Sequence, residues 1–273
     1  MGLPVALQIY SVRDDLDRDF VGTLRKVKEM GYDGVELPGL GKRGGKEVKT
    51  MLDDAGLSVM SSHVPFGAIA ANPKNVFEEY RAAGCRYVAI PWLDMRKAPG
   101  GEDFGQILPD ILQMGKTALE HGITLLYHNH DFEFRKIGGK YALDVLYESI
   151  PQEYLKTQID TCWVKVAGAD PAEYLRKYKG RAPLVHLKDF VMGGKVTGGM
   201  YELIGKDGAD KKTGSGEFDF RPVGHGVQDI PAILEACEYV GAEWVIVEQD
   251  ASTQRPPLEA AKMSREYLKD LGW

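Results

Sequence analysis

An apolar, strand-like run that ends abruptly in His, Asp or Glu recurs along this chain, and that repetition constrains its fold more than any other feature. The longest copy is Ile123-Thr-Leu-Leu-Tyr-His-Asn-His-Asp-Phe-Glu-Phe134. Lys156-Thr-Gln-Ile-Asp160, Pro183-Leu-Val-His-Leu-Lys-Asp189 and Glu243-Trp-Val-Ile-Val-Glu-Gln-Asp250 repeat the pattern. Short apolar runs bounded by polar residues read as buried strands. Parallel strands that all carry polar groups at their C-terminal ends bring those groups to one face.

Segments of helical spacing separate the runs. Phe20, Leu24, Val27 and Met30 share one helical face, and Gly31 supplies the stop. The same reading predicts strands at 5–12, 34–38, 58–65, 86–92, 123–134, 156–160, 182–189 and 244–248. It predicts helices at 19–30, 45–55, 73–83, 104–121, 141–149, 171–178, 228–239 and 257–271. Strict alternation implies parallel strands with right-handed crossovers. Eight units across 273 residues match the roughly 250 residues of a closed barrel. The expected fold is therefore α/β, a single (β/α)8 TIM barrel over residues 1–273. One connection, at about 190–227, is long for a βα loop. It leaves the C-terminal face, so we expect a lid, with Gly193, Gly194, Gly198 and Gly199 as hinges.

The formal charge is −6, which argues against a general nucleic-acid binder, because such binding needs a basic surface. A small molecule is the expected partner, and a homo-oligomer is compatible with the sequence. Cys85, Cys162 and Cys237 form no CxxC pair, so a disulfide framework is not expected and a reducing, cytoplasmic setting is. The first ten residues lack a basic segment and read as a strand, not a signal peptide. No apolar run reaches the length of a membrane span.

Asp160, His186 and Glu248 lie at the ends of three different strands. Carboxylate and imidazole together suit Zn, Mn, Mg or Fe. A cap on the following helix is the competing role for Asp160. A fourth ligand would come from the end of strand five, where His128, His130, Asp131 and Glu133 crowd together. A carboxylate there could also serve as a base. Glu36 and His63 end earlier strands and could line the pocket. Lys188 shares a face with His186 and could stabilise an oxyanion or bind an anionic substrate. Tyr10, Phe66, Trp92, Phe132 and Trp163 could wall a sugar ring. No Gly-rich phosphate loop follows a strand. Gly214-Ser-Gly216 lacks the strand–turn–helix context of a nucleophile elbow.

Seven motifs, taken in order, resemble one family. They are Gly34-Val-Glu-Leu37, Ser62-His63, Tyr127-His-Asn-His130, Ile159-Asp-Thr161, Val185-His-Leu-Lys-Asp189, Pro222-Val-Gly-His-Gly226 and Val247-Glu248. They resemble the sugar phosphate isomerase/epimerase family, the xylose-isomerase-like barrels that include tagatose and psicose 3-epimerases, inosose dehydratase and endonuclease IV. The resemblance implies a divalent ion (Mn, Mg, Zn or Co) held by Glu, Asp, His and Glu from strands five to eight. Asp160, His186 and Glu248 match the last three. At the first, relatives often read Glu-Asn-His where this chain reads His128-Asn129-His130, so either His128 or Glu133 is the ligand. Cys162-Trp163 replace the usual strand-six His, and His225 stands where many relatives have Glu. The resemblance further implies substrate contacts from Glu36, His63, His128, His130 and His225, with Glu248, Glu133 and Lys188 as catalytic groups. The expected activity is isomerisation or epimerisation of a sugar or keto-sugar by proton transfer through an enediolate. A dehydratase or lyase acting on a keto-sugar or keto-inositol is the alternative. An endonuclease and a catalytically silent sugar-binding barrel are the rival classes.

Overall fold

A computed structural model of the chain describes residues 2–193 and 218–273. Eight parallel strands close into one barrel. They are β1 (Val5–Gln8), β2 (Gly34–Leu37), β3 (Ser58–His63), β4 (Tyr87–Ile90), β5 (Thr124–His128), β6 (Lys156–Asp160), β7 (Leu184–Leu187) and β8 (Trp244–Val247). Each pairs with its neighbour in sequence, and β1 pairs with β8 to complete the ring. This is the (β/α)8 barrel that the alternation predicts.

The helices begin and end where the caps dictate. The Asp19 carboxylate accepts from Gly22 N–H at the start of Phe20–Met30, and Gly31, at φ 94°, ends it. Asn72 caps Pro73–Ala82, and Asp229 caps Ile230–Val240. The first strand is shorter than predicted. It ends at Gln8, whose Oε1 accepts from Tyr10 N–H and turns Ile9–Val12 into a 3₁₀ turn. Three short helices, Arg13–Arg18, Phe66–Ala71 and Thr161–Val166, stand where loops were expected. Six residues are too few for an amphipathic period to show.

Side chains alternate between two shells, as the pleat requires. Residues such as Leu7, Val35, Leu125 and Val245 point outward into the core shared with the helices. Ala6, Met60, Ala89, Leu126, Leu184 and Ile246 form a second, apolar layer inside the barrel. Two residues further along the same strands the interior turns polar. Gln8 follows Ala6, His128 follows Leu126, His186 follows Leu184 and Glu248 follows Ile246. The register sets these polar residues side by side, with Gln8 opposite Glu36, His128 opposite Gln158 and Asp160 opposite His186.

Beyond β7 the chain leaves the barrel as an antiparallel ribbon, Asp189–Met192 with Phe218–Arg221. The expected lid starts on this ribbon, but 194–217 lie outside the described residues, as do Gly194, Gly198, Gly199 and Gly214-Ser-Gly216. The three cysteines are buried and free. Among the described residues no helix is long and apolar enough to cross a membrane.

Candidate metal centre

His128, Asp160, His186 and Glu248 each place one ligand-type atom within 4.8 Å of the other three, and all four residues are buried. The backbone makes this convergence rigid. Asn129, just past β5, acts as a surrogate strand residue. Its Oδ1 accepts from Asp160 N–H at 2.9 Å, and its Nδ2 donates to Asp160 O at 3.3 Å. Asp160 has two jobs. Its Oδ1 caps Thr161–Val166 by accepting from Cys162 and Trp163 N–H, so the cap role weighed above is real. Its Oδ2 is left for the barrel interior.

The protons on the two histidines follow from their neighbours. Glu36, fully buried, accepts from Gln8 Nε2 (2.8 Å), Gln158 Nε2 (2.6 Å) and His186 Nε2 (2.7 Å). Burial alone would raise its carboxyl, but His63 and His186 pull it down to about 2. His186 therefore keeps a proton on Nε2, and its Nδ1 faces Glu248 Oε2 at 2.9 Å. Burial would depress this imidazole, yet Glu36 and Glu248 raise it to about 10. A carboxylate on the far nitrogen is the usual way to orient a metal-binding histidine. His128 differs. Burial, with His186 and His63 beside it, holds its pKa well below the ordinary value, so the ring is neutral. Its Nδ1 donates to Gln158 Oε1 at 3.2 Å, and its Nε2 faces Asp160 Oδ2 at 3.6 Å.

Two acceptors thus point at each other with no proton between them. Asp160 Oδ2 is buried and makes no hydrogen bond, although Lys188 Nζ stands 3.0 Å away. Two ligand atoms bound about 2.1 Å from one cation sit roughly 3.0–3.6 Å apart at angles of about 90–120°. The spacings of 2.9 Å and 3.6 Å match that range. Charge points the same way. Glu36, Asp160, Glu248 and Asp250 are buried carboxylates, against the cations Lys188 and His186. Burial raises Asp160 and lifts Asp250 to about 6, despite Lys188 beside both. A buried set short of positive charge, with an orphaned oxygen, suits a divalent ion.

Lys188 Nζ lies 2.9 Å from Glu248 Oε2, 2.9 Å from Asp250 Oδ2 and 3.0 Å from Asp160 Oδ2. Burial would neutralise it, but these three carboxylates hold its pKa well above the ordinary value. Its ammonium also stands 5.3 Å from the Trp163 ring centroid. His63 sits at the rim, with Nε2 at 2.8 Å from Gln158 Oε1 and 3.2 Å from Glu36 Oε2. The His130 ring packs on Phe132 and near Trp163. Trp163 and Phe132, both among the expected aromatic wall residues, thus pack beside His130.

Glu133 is not brought into the four-residue group. The chain turns away from β5 as a 3₁₀ turn, Phe132–Phe134. This buries the carboxylate against Tyr127 Oη (2.7 Å) and the His130 N–H (2.6 Å). Burial there raises it to about 8. Of the two strand-five candidates, His128 is the one at the cluster. His225 is also elsewhere. It is exposed, with its ring 6.3 Å from that of Tyr267. Its motif is built around Asp189, whose carboxylate accepts from the N–H groups of Phe190, Gly224, Gly226 and Gln228. A Cβ on Gly226 would lie 2.2 Å from Asp189 Oδ1, and one on Gly224, at φ 85°, 2.3 Å from the Tyr267 ring. The two glycines are thus required for the grip on Asp189 and not for a ligand.

Sequence reading passed over Gln8, Gln158 and Asp250. Gln8 and Gln158 lie two residues from inward-facing neighbours on their strands, which was the available signal, whereas Asp250 lies past the end of β8.

A family model of the xylose isomerase-like TIM barrel matches residues 24–271. The chain belongs to the xylose isomerase-like TIM-barrel family. Inosose dehydratase of Clostridium tetani is 29% identical over 174 residues, covering 62% of this chain and 55% of that one. The chain thus aligns to little more than half the length of that relative. Among solved structures, a sugar phosphate isomerase/epimerase from Parabacteroides distasonis superposes with TM-score 0.76 at 20% identity, covering 98% and 94% of the two chains. The IOLI protein with a zinc atom superposes with TM-score 0.69 at 13% identity, covering 99% and 98%. These likenesses of xylose isomerase-like barrels establish a shared fold.

Proposed function

We propose that this family member is a divalent-cation-dependent lyase that removes water from a keto-polyol, such as a keto-inositol or keto-sugar. The observation that carries the reading is that the strand-five position, where a second base would stand, holds His128 in place of a carboxylate. Epimerisation by two bases needs carboxylates on opposite faces of the substrate. Here His128 occupies the strand-five position, and Glu133 is engaged with Tyr127 and His130. Glu248 is 5% exposed where Asp160 and His186 are fully buried, and Asp250 beyond it is held by the Lys188 ammonium. The inosose dehydratase relatives support the same class.

His128, Asp160, His186 and Glu248 would hold the cation. When bound, it would supply a Lewis acid that acidifies the C–H beside a carbonyl. Lys188 and His186 keep Glu248 ionised against the cost of its burial, which is the state a base requires. Glu248 takes the proton from the carbon beside the carbonyl. The Lys188 ammonium faces the oxygen on which charge develops. The same Glu248 carboxyl then hands its proton to the hydroxyl leaving from the next carbon. One C–H and one C–O bond break, a C=C bond forms in conjugation with the carbonyl, and water departs. The acidic group around Lys188 disfavours a phosphorylated substrate.

The test is a panel of keto-inositols and keto-sugars, with product mass and enone absorbance as readouts in D2O. A lyase gives a product lighter by one water. Glu248→Gln should lose on the order of 100-fold or more in turnover while remaining folded. Isomeric products of unchanged mass carrying solvent deuterium would favour the isomerase/epimerase reading, which the Parabacteroides distasonis neighbour represents. Full turnover by Glu248→Gln would remove Glu248 as the base.

A further inference from the structure

We infer that Gln158 is a positioning residue that fixes the His128 tautomer and so keeps the cluster open for a cation. The inference rests on the cation-binding reading above. Gln158 is fully buried at an inward-facing place on β6, opposite His128 on β5. The orientation of its amide is determined by a group that can only accept. Its Nε2 lies 2.6 Å from Glu36 Oε1, so the NH2 side must face Glu36. Oε1 then faces the histidines and accepts from His63 Nε2 at 2.8 Å and His128 Nδ1 at 3.2 Å. An amide oxygen has two lone pairs and no proton to give. Both imidazoles must therefore bring the hydrogen, and for His128 that hydrogen sits on Nδ1.

The consequence appears on the other side of the ring. With Nδ1 protonated, Nε2 of the neutral imidazole carries a lone pair. That lone pair faces Asp160 Oδ2, 3.6 Å away, which itself makes no hydrogen bond. Without the acceptor on Gln158 the ring has a better choice. It would move its hydrogen to Nε2 and donate to Asp160, satisfying a buried carboxylate oxygen at little cost. The cluster would then close on itself as a His–Asp pair, and a cation would have to displace that hydrogen. Gln158 prevents this by making Nδ1 the place where the hydrogen is worth most. Its NH2 meanwhile holds Glu36, whose other oxygen accepts from His186 Nε2. One amide thus sets the free nitrogen of His128 and steadies the carboxylate that accepts from His186 Nε2.

Two measurements test this. In metal-free wild-type protein, 15N–1H long-range correlation of the imidazoles should show His128 neutral with hydrogen on Nδ1. Hydrogen on Nε2 would overturn the inference regardless of any variant. In Gln158→Met, which keeps the length and removes both polar ends, His128 should change tautomer. Zn2+ affinity, measured by chelator competition, should fall about 10- to 100-fold, the range for losing an outer partner of a metal ligand. Gln158→Glu keeps an acceptor oxygen, so His128 should retain hydrogen on Nδ1 and bind Zn2+ more tightly than Gln158→Met does. A folded Gln158→Met with unchanged tautomer and unchanged Zn2+ affinity would overturn the inference. Wild-type protein that binds no Zn2+ would instead defeat the cation reading, while the tautomer measurement would still decide the role of Gln158.

Discussion

Asp160 and Asp144 are both buried carboxylates, and their surroundings could hardly differ more. Asp144 sits outside the barrel, on the helix Ala142–Ser149. Its Oδ1 accepts from Tyr174 Oη (2.9 Å) and Tyr178 Oη (2.5 Å), and its Oδ2 takes the Lys177 ammonium (2.5 Å). Every acceptor meets a donor, one of them a cation, so the acid is a structural staple between helices. Asp160, at the mouth of the barrel, has one oxygen spent on a helix cap. The other shares the single Lys188 ammonium with Glu248 and Asp250 and otherwise faces a neutral imidazole. Burying a charge without a matching donor is expensive. Such an arrangement at the converging ends of the strands suits the proposed cation, whereas Asp144 has its cation already in Lys177.

Removing each acid in turn should separate the two roles. Asp160→Ala should weaken Zn2+ or Mn2+ binding by more than about 100-fold, since losing an outer partner alone costs 10- to 100-fold. Unchanged stoichiometric metal content after loading would break the comparison. Asp144→Ala should leave metal affinity at the wild-type value. It strands two buried tyrosine hydroxyls and should lower stability by about 1–3 kcal/mol, measurable by urea unfolding. A loss of metal binding there, with the barrel folded, would show that the two acids are coupled.

Glu133 sharpens the contrast as an intermediate case, with donors on both oxygens but no cation. Burial raises it to about 8 from an ordinary 4.5. Its neutral form is favoured in the folded state. Its contribution to stability is fully present below pH 4.5. It is lost as pH rises toward 8, at no more than about 1.4 kcal/mol per pH unit. Glu133→Gln should therefore flatten the decline of Tm between pH 5 and pH 8. An identical slope in both proteins would mean that Glu133 is ionised in the fold.

The barrel was legible because its cause is periodic. Eight apolar runs, each followed by a helical stripe and seven of those stripes by a glycine stop, leave few alternatives. Asp160, His186 and Glu248 were legible for a related reason, since a charged residue ending an apolar strand is conspicuous. The strand-five position was left open between His128 and Glu133, because the sequence does not show where the chain bends. The 3₁₀ turn at Phe132–Phe134 leaves Glu133 against Tyr127 and His130, with His128 at the cluster. His225 was assigned to the substrate on resemblance, whereas hydrogen bonds to Asp189 leave it exposed. Gln158 was overlooked because a glutamine inside a strand draws no attention until the register shows that it faces two histidines and a glutamate.

The grip of Asp189 on the returning chain has a consequence for how this barrel can change over time. Three backbone N–H groups of the returning chain on one carboxylate, together with the ribbon from Asp189 to Met192 and Phe218 to Arg221, bring the two ends of the excursion together. The entropic cost of closure is met at the neck. Doubling the length of chain beyond it would cost only about 0.6 kcal/mol. That stretch can be lengthened, shortened or rewritten while the strands beneath keep their register. Sequence can then vary between the two ribbon strands without putting the barrel itself at risk.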